Sequence, residues 1–218
     1  MVFSFFRGGD SGLDQVERQV TAMLNDCRHS FDLAMGALVT DGDIAPVGQD
    51  VRATDLRINE AEEAVRRELV VHSAVHGGSD SPILLTYVLI VKKLERVGDQ
   101  AKNIYDLAAE GVRFSGADDY DQFLAWREQI SRQFVDASTI LLQQDTEWAN
   151  RYLGEARALM DTFDALVNGL ITSDAPASVA VPRALLYRYL KRIVANLSGA
   201  VETVVHTLDH GEFDDLDE

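Results

Sequence analysis

The stretch of sequence that decides the fold is Leu94-Glu95-Arg96-Val97-Gly98-Asp99-Gln100-Ala101-Lys102-Asn103-Ile104. It places two acids and an amide at intervals of four residues, at Glu95, Asp99 and Asn103, among apolar residues at helical spacing. Residues four apart lie on one face of a helix, so these side chains form a single polar stripe beside an apolar line. Because a carboxylate at the edge of a core is unfavourable without a partner, the stripe must be paired or bound to a cation.

The same helical spacing continues in both directions and divides the chain into six long segments separated by short breaks. Prolines near the starts of the third and sixth segments, Pro82 and Pro182, suit the first turn of a helix. No segment alternates as a strand does. The segments cover roughly residues 11–40, 48–75, 81–114, 120–144, 146–172 and 182–209. We therefore predict an all-α fold in which six long antiparallel helices form two tandem three-helix bundles.

The two bundles are predicted because the segment order repeats. A long helix, a second long helix and a proline-opened helix occur twice, and an offset of 96 residues lays the third segment on the sixth. The predicted units are a first bundle over 1–116, a second and divergent bundle over 117–210, and an acidic tail over 211–218. A single irregular six-helix domain is the alternative.

The two copies differ in where their acids lie. Asp55 and Glu62 occupy core-line positions of the second segment, whereas the matching line of the fifth segment has no acid. The positions of the sixth segment that correspond to the polar stripe also lack a carboxylate, since they are Lys191, Ala195 and Gly199. Acids are thus concentrated between the second and third segments of the first copy.

Six oxygen-bearing side chains of the first copy form a candidate metal site. They are Asp55, Asn59, Glu62, Glu95, Asp99 and Asn103. An all-oxygen ligand set suits magnesium, calcium, manganese or iron, and zinc is a further candidate. The alternative is that the acids face solvent and form ion pairs, which add little stability. The bases available for such pairs are Arg57, Arg66, Lys92, Lys93 and Arg96. Spacing alone leaves both interpretations open.

Catalytic motifs are missing from the sequence. It has no nucleophile elbow, phosphate-binding loop or zinc-protease motif, and no Glu-x-x-His pair of the di-iron bundle enzymes. His72 lies on an apolar line and is predicted to be a core residue, while His206 and His210 lack a visible third metal ligand. The lone Cys27 excludes an intrachain disulfide and is predicted to be buried. We therefore predict that the chain is not an enzyme.

The composition is that of an acidic globular protein. Its 218 residues include 20 Lys plus Arg and 36 Asp plus Glu, for a formal charge of −16. Such a charge disfavours nucleic-acid binding and favours basic partners or cations. Residues 1–7 do not resemble a signal peptide, and no apolar run approaches the roughly 20 residues needed to span a bilayer. A soluble, cytoplasmic protein is predicted.

Residues 94–104 resemble the motif E-R-[IV]-G-D-x-A-x-N-I of the PhoU family of phosphate-signalling regulators. Residues 55–62 are similar to the second-helix pattern of that family, D-x-x-I-N-x-x-E. The resemblance implies two related three-helix bundles, a cytoplasmic homodimer, and metal binding through E/D-x-x-x-D motifs, sometimes as iron or zinc clusters. It also implies that the protein connects a phosphate ABC transporter to a sensor histidine kinase and keeps the phosphate-starvation response off.

The second copy departs from the family pattern, in which both repeats carry the acidic motif; here Lys191-Arg192-Ile193-Val194-Ala195 stands in its place. One metal site at most is therefore expected. The leading hypothesis is a non-enzymatic regulator of phosphate uptake and phosphate-starvation signalling. The alternatives are a metal-dependent phosphatase or oxidase that uses the carboxylates, and a metal-free adaptor for another ion transporter, such as a potassium permease.

Overall fold

The computed structural model describes the backbone of residues 11–76 and 81–214, and the side chains of residues 13–76, 81–203 and 205. Within these ranges the chain forms six α-helices and no strand, which confirms the all-α prediction. The helices are α1 (Ser11–Val39), α2 (Ala45–His76), α3 (Ser81–Ala109), α4 (Tyr120–Gln143), α5 (Thr146–Ile171) and α6 (Ala177–Asp214).

Helix α6 is longer at both ends than the sequence predicts. It begins at Ala177, so Pro182 lies inside the helix rather than in its first turn. The start is fixed by Pro176, whose carbonyl accepts hydrogen bonds from the backbone N–H groups of Val179 and Ala180 at 2.8 and 2.9 Å. A proline so close to a helix start removes only one intrahelical hydrogen bond. At the other end the helix includes residues 211–214, which were predicted to belong to the acidic tail, and residues 215–218 lie outside the described range.

The six helices are arranged as two antiparallel three-helix units, α1–α3 and α4–α6, that pack along two seams. In the first seam α1 meets α4, where the rings of Phe31 and Phe134 lie 5.8 Å apart. In the second seam, α3 packs against α6, and the two helices run in opposite directions. Lys93 crosses Gly199 near the middle of this seam, and Arg183 lies 5.3 Å from the ring of Phe114 beyond the end of α3.

Buried apolar residues of both units form one continuous cluster. The first unit contributes mainly aliphatic side chains, whereas an aromatic group fills the second and reaches into the connection between the units. This group consists of Phe114, Phe123, Trp126, Phe163 and Tyr187, with ring centroids 4.3 to 6.5 Å apart. Because the core is continuous, the division of the chain at residue 116 into separate domains stays a prediction.

Candidate functional site between α2 and α3

The polar stripe lies along the seam where α2 and α3 approach each other closely. Gly98, in the middle of the decisive stretch, makes this approach possible. A Cβ atom added there would lie 2.9 Å from Cδ1 of Ile58, which is buried on α2. A glycine allows two helices to approach closely, and a larger residue here would require the Ile58 side chain or α2 to shift. The carboxylates of the two helices consequently face each other across a narrow gap.

Lys102 bridges the two helices at one end of this gap. Its Nζ atom donates to Asp55 Oδ2 on α2 at 2.9 Å and to Asp99 Oδ1 on α3 at 3.3 Å. Burial alone would lower the pKa of Lys102, but the hydrogen bonds and negative charges of Asp55 and Asp99 outweigh this effect and raise it. The ammonium group is therefore firmly charged, and it holds a carboxylate of each helix.

Lys92 forms a second bridge further along the seam. Its Nζ atom lies 2.8 Å from Glu95 Oε2 on α3 and 3.7 Å from Glu62 Oε1 on α2. Arg66 also contacts Glu62 Oε1, at 2.8 Å. The Glu62 side chain is only 9% exposed, so it carries its charge largely out of water and depends on these two cations.

The four carboxylates predicted as metal ligands thus lie on one seam, but they fall into two pairs. Each pair encloses an ammonium group: Asp55 and Asp99 hold Lys102, and Glu62 and Glu95 hold Lys92. The two predicted amide ligands, Asn59 on α2 and Asn103 on α3, are partly exposed on the same helices. The sequence correctly places the acids together, but it does not show the cations between them.

A metal ion does not fit this arrangement. Among the residues that the structure describes, no three His, Cys, Asp or Glu side chains converge as metal ligands. A divalent cation would have to displace Lys92 or Lys102, which lie where it would bind. Metal ligation by the six predicted residues therefore stays a prediction, and it requires the two lysines to move away.

The alternative of ion pairing is realised by only some of the predicted bases. Arg66 and Lys92 do contact the acids, whereas Arg57 pairs with Asp26 on α1 at 2.9 Å and Lys93 lies over Gly199. Sequence reasoning missed Lys102 as a partner. The signal was present, because Lys102 follows Asp99 by three residues and therefore lies on a neighbouring part of the same helical face.

The corresponding seam between α5 and α6 has the opposite arrangement of charge. Here α6 supplies the bases and α5 the acid: Lys191 Nζ and Arg188 both contact the carboxylate of Asp164, Arg188 at 3.6 Å. Two cations thus share one acid, where the α2–α3 seam has two acids around each lysine. No metal site is expected in the second unit.

The other two candidate residues whose side chains the structure describes, His72 and Cys27, are buried. His72 is buried, as predicted, and stacks on His76 with ring centroids 4.2 Å apart at the end of α2. Cys27 is also buried, as predicted. Its thiol donates to the Leu94 carbonyl at 3.2 Å, and burial raises the pKa of this thiol far above its usual value. The predicted pairing of His206 and His210 concerns side chains outside the described set.

The chain thus has the six-helix, all-α bundle fold with an acidic motif on its second and third helices. Residues 20–108 match the family model of the PhoU domain. The matched segment covers most of α1 and the whole α2–α3 seam, and the resemblance inferred from residues 94–104 is confirmed.

The whole fold is similar to two solved PhoU structures. The crystal structure of PhoU from Pseudomonas aeruginosa superposes with a TM-score of 0.79 at 21% identity, over 92% of this chain and 98% of that chain. The phosphate transport system regulatory protein PhoU from Streptococcus pneumoniae gives a TM-score of 0.77 at 15% identity, over 89% and 94%. No curated protein sequence matches the chain. None of its helices, within the described residues, has the length and apolar character needed to cross a membrane.

Proposed function

We propose that the chain is a non-enzymatic, PhoU-like regulator of phosphate uptake that keeps the phosphate-starvation response off when phosphate is plentiful. The observation that supports the proposal most strongly is the PhoU domain over residues 20–108, which contains the decisive stretch 94–104. The similarity of the second unit to PhoU structures extends the likeness to the entire two-bundle scaffold.

The proposed partners are a phosphate ABC transporter and a sensor histidine kinase, contacted on the cytoplasmic side of the membrane, and the proposed assembly is a homodimer. A formal charge of −16 supports partners whose cytoplasmic loops are basic, because complementary charge raises the rate of encounter and selects among partners. A helical scaffold with a continuous buried core also suits a protein that acts by binding, since a preformed surface loses little conformational entropy on association.

No step of this regulation is assigned to a metal ion, because Lys92 and Lys102 already lie between the carboxylates of the seam and pair with them. The seam instead supplies an ion-paired face of the first bundle. This also weakens the proposal of a metal-dependent phosphatase or oxidase, which would need open carboxylate ligands around its metal.

Deletion of the gene tests the proposed function. A phosphate-starvation reporter measured in phosphate-rich medium is expected to be switched on in the deletion strain and switched off again when the intact chain is restored. Unchanged reporter output after deletion would reject the regulatory role in phosphate signalling.

A second candidate is a metal-free adaptor for another ion transporter, such as a potassium permease. The observation in its favour is the pairing of the acidic motif with lysines, together with Lys191 and Ala195 in place of that motif in the second unit. Loss of potassium uptake in the deletion strain, with normal phosphate reporter output, is the result that would favour this candidate.

A further inference from the structure

A groove lies on one side of the second unit, where the last turns of α5 pack beside the first turns of α6. It has a volume of about 600 Å³, is open to solvent and has a mainly apolar surface. We call it the α5 groove. The residues of the two helices that line it include Ala165, Leu166, Gly169, Leu170, Arg183 and Tyr187. An open apolar groove between helices is suited to receive apolar side chains of a partner.

Gly169 keeps this groove open. It lies in the last turn of α5, is exposed, and does not have a positive φ. A Cβ atom added at Gly169 would meet no atom within 4 Å. A larger side chain at this position would therefore occupy the groove, and it would not force α5 away from a neighbouring helix.

The polar side of the groove is formed by an ion pair. The guanidinium group of Arg183 donates to both carboxylate oxygens of Asp119, which also lines the groove, at 2.8 and 3.3 Å. The same guanidinium group lies 5.3 and 5.8 Å from the ring centres of Phe114 and Phe123. Because Arg183 is both paired and stacked within the chain, its charge is already balanced and gives the groove no preference for an acidic partner.

Two acids beside the groove lack such a partner. Asp118 adjoins Asp119 in the chain, and Asp161 lies one helical turn before Ala165 at the edge of the groove. Asp118 and Asp161 are exposed, and neither forms an ion pair with another residue that the structure describes. The rim of the groove is therefore negative, in agreement with the formal charge of −16. Basic side chains of a partner complement such a rim.

We propose that the α5 groove is a docking site for a basic amphipathic helix of a partner protein. Aliphatic side chains of that helix enter the groove, and its lysine or arginine residues lie beside Asp118 and Asp161. The α5 side of the groove extends over residues 162–170, or roughly 12 Å at the rise of an α-helix, which matches about two turns of a partner helix. This deepens the proposed function and rests on it, because it identifies the kind of segment by which a transporter or kinase contacts the regulator.

The binding test uses two designed helical peptides of about 18 residues as probes. One has leucines at i, i+3, i+4 and i+7 flanked by lysines, and the other has glutamates in place of the lysines. Isothermal titration with the full chain measures both affinities. At about 50 mM salt the lysine peptide is expected to bind roughly tenfold more tightly than the glutamate peptide, and the difference should shrink as salt is raised, because salt screens exposed charges.

Gly169→Leu tests the shape of the groove without changing its charge. It should weaken binding of the lysine peptide at least tenfold, because the leucine side chain occupies the groove. Gly154→Leu is the matched control, since Gly154 is an exposed glycine of the same helix outside the groove and an added Cβ there also meets no atom within 4 Å. Its affinity should be unchanged. Urea unfolding should show both variants to be at least as stable as the wild type, because leucine is favoured over glycine within a helix.

Asp161→Lys tests the charge of the rim without filling the groove. It should weaken binding of the lysine peptide at least threefold at low salt. Glu60→Lys makes the same change of charge at an exposed position of α2 and should have a much smaller effect. Equal effects of the two variants would show that the peptide responds only to the net charge, which would overturn the docking site.

Other outcomes would overturn the proposal as well. They are equal binding of the two peptides, binding of neither, and binding that Gly169→Leu leaves intact. A dimer in sedimentation that Gly169→Leu dissociates would identify a second copy of this chain as the occupant. Binding to vesicles of phosphatidylglycerol that Gly169→Leu removes would identify a lipid surface.

A cellular measurement separates this proposal from the proposed function. In the deletion strain, Gly154→Leu should switch the phosphate reporter off, whereas Gly169→Leu should leave it on. Full repression by Gly169→Leu would overturn the docking site, while the effect of deletion itself would still support the regulatory role. A reporter that does not respond to deletion would reject the regulatory role, and the peptide measurements would then decide the docking site alone.

Discussion

The α2–α3 and α5–α6 seams occupy equivalent places in the two bundles but carry different chemistry. In the first, Glu62 is buried on the helix interface and depends on Lys92 and Arg66. In the second, the equivalent position holds Phe163, which is fully buried among Trp126 and Tyr187. The two units thus place different side chains at an equivalent position of their second helix: a buried, ion-paired glutamate in the first and a buried phenylalanine within an aromatic group in the second.

The largest loss of stability is expected when an aromatic side chain is removed from the second unit. Phe163→Ala should lower the free energy of unfolding by about 3–5 kcal/mol, because it leaves a cavity between Trp126 and Tyr187. Urea unfolding followed by circular dichroism measures the change. Leu56→Ala, at an exposed position, serves as the control and should cost well under 1 kcal/mol. A loss at Phe163 as small as the control would show that the aromatic group does not stabilise the second unit.

The next largest loss of stability is expected when a lysine bridge of the α2–α3 seam is removed. Lys102→Met should lower the free energy of unfolding by about 1–3 kcal/mol, because it leaves the Asp55 carboxylate, 17% exposed, without its cation. The double variant Asp55→Asn/Lys102→Met should recover part of this loss. Lys191→Met is the matched comparison in the second seam and should cost less, since Arg188 still contacts Asp164. Equal losses for Lys102→Met and Lys191→Met would contradict the proposed difference between the seams.

The same bridge has a pH dependence with a definite sign. The pKa of Lys102 is raised in the folded protein above its ordinary value of 10.5, so the stabilisation is fully present below that value. It should be lost as the pH rises through the higher folded pKa. Unfolding curves recorded from pH 8 upward should therefore show a steeper alkaline loss for the wild type than for Lys102→Met, and parallel curves would argue against the bridge.

A change of about tenfold is expected for cation binding when both lysines are removed. Lys92→Met with Lys102→Met removes the ammonium groups from between four carboxylates, of which only Glu62 keeps a cation, Arg66. Manganese or zinc should therefore bind at least tenfold more tightly than to the wild type. Isothermal titration and elemental analysis of untagged protein measure this. Adding Glu95→Gln and Asp99→Asn should abolish the gain, and an unchanged affinity in the lysine variant would reject these acids as latent metal ligands.

The smallest effect is expected at the exposed edge of the second seam. Arg188→Ala should change the free energy of unfolding by about 0–1 kcal/mol, because the pair is largely exposed and Lys191 remains on Asp164. The thermal midpoint measures this change. A loss above 2 kcal/mol would mean that the second seam depends on ion pairs as much as the first does.

Most of the fold follows from the periodicity of apolar residues, which indicates six helices and their approximate order. The prediction differs from the structure at the ends of helices and in the contacts between helices. Pro182 was predicted to open α6, but Pro176 does so, because its carbonyl is available to the first helical N–H groups. The antiparallel crossing of α3 and α6 was not predicted either, since it is set by contacts between segments far apart in sequence, such as Lys93 over Gly199.

The acidic residues of the candidate site could be predicted from the sequence, but the lysines that bridge them could not. Periodicity shows which side chains share a face, and it placed Asp55, Glu62, Glu95 and Asp99 on facing helices. It does not show how a long lysine side chain folds back along its own helix. Lys92 and Lys102 each lie three residues from the acid that they contact on α3, and only the position of α2 reveals that they also reach a second carboxylate.

The missing side chain of Gly98 also limits how sequences with this fold can vary. A side chain there would require either the Ile58 side chain or helix α2 to shift, and a wider gap between the helices would lengthen the contacts of Asp55 and Glu62 with the two lysines. The equivalent position of α6 is Val194, and the residue that follows it is Ala195 rather than an acid. The glycine and the acids it brings within reach are therefore expected to be gained or lost together. A chain that replaced Gly98 by a larger residue would be free to replace Asp99 as well.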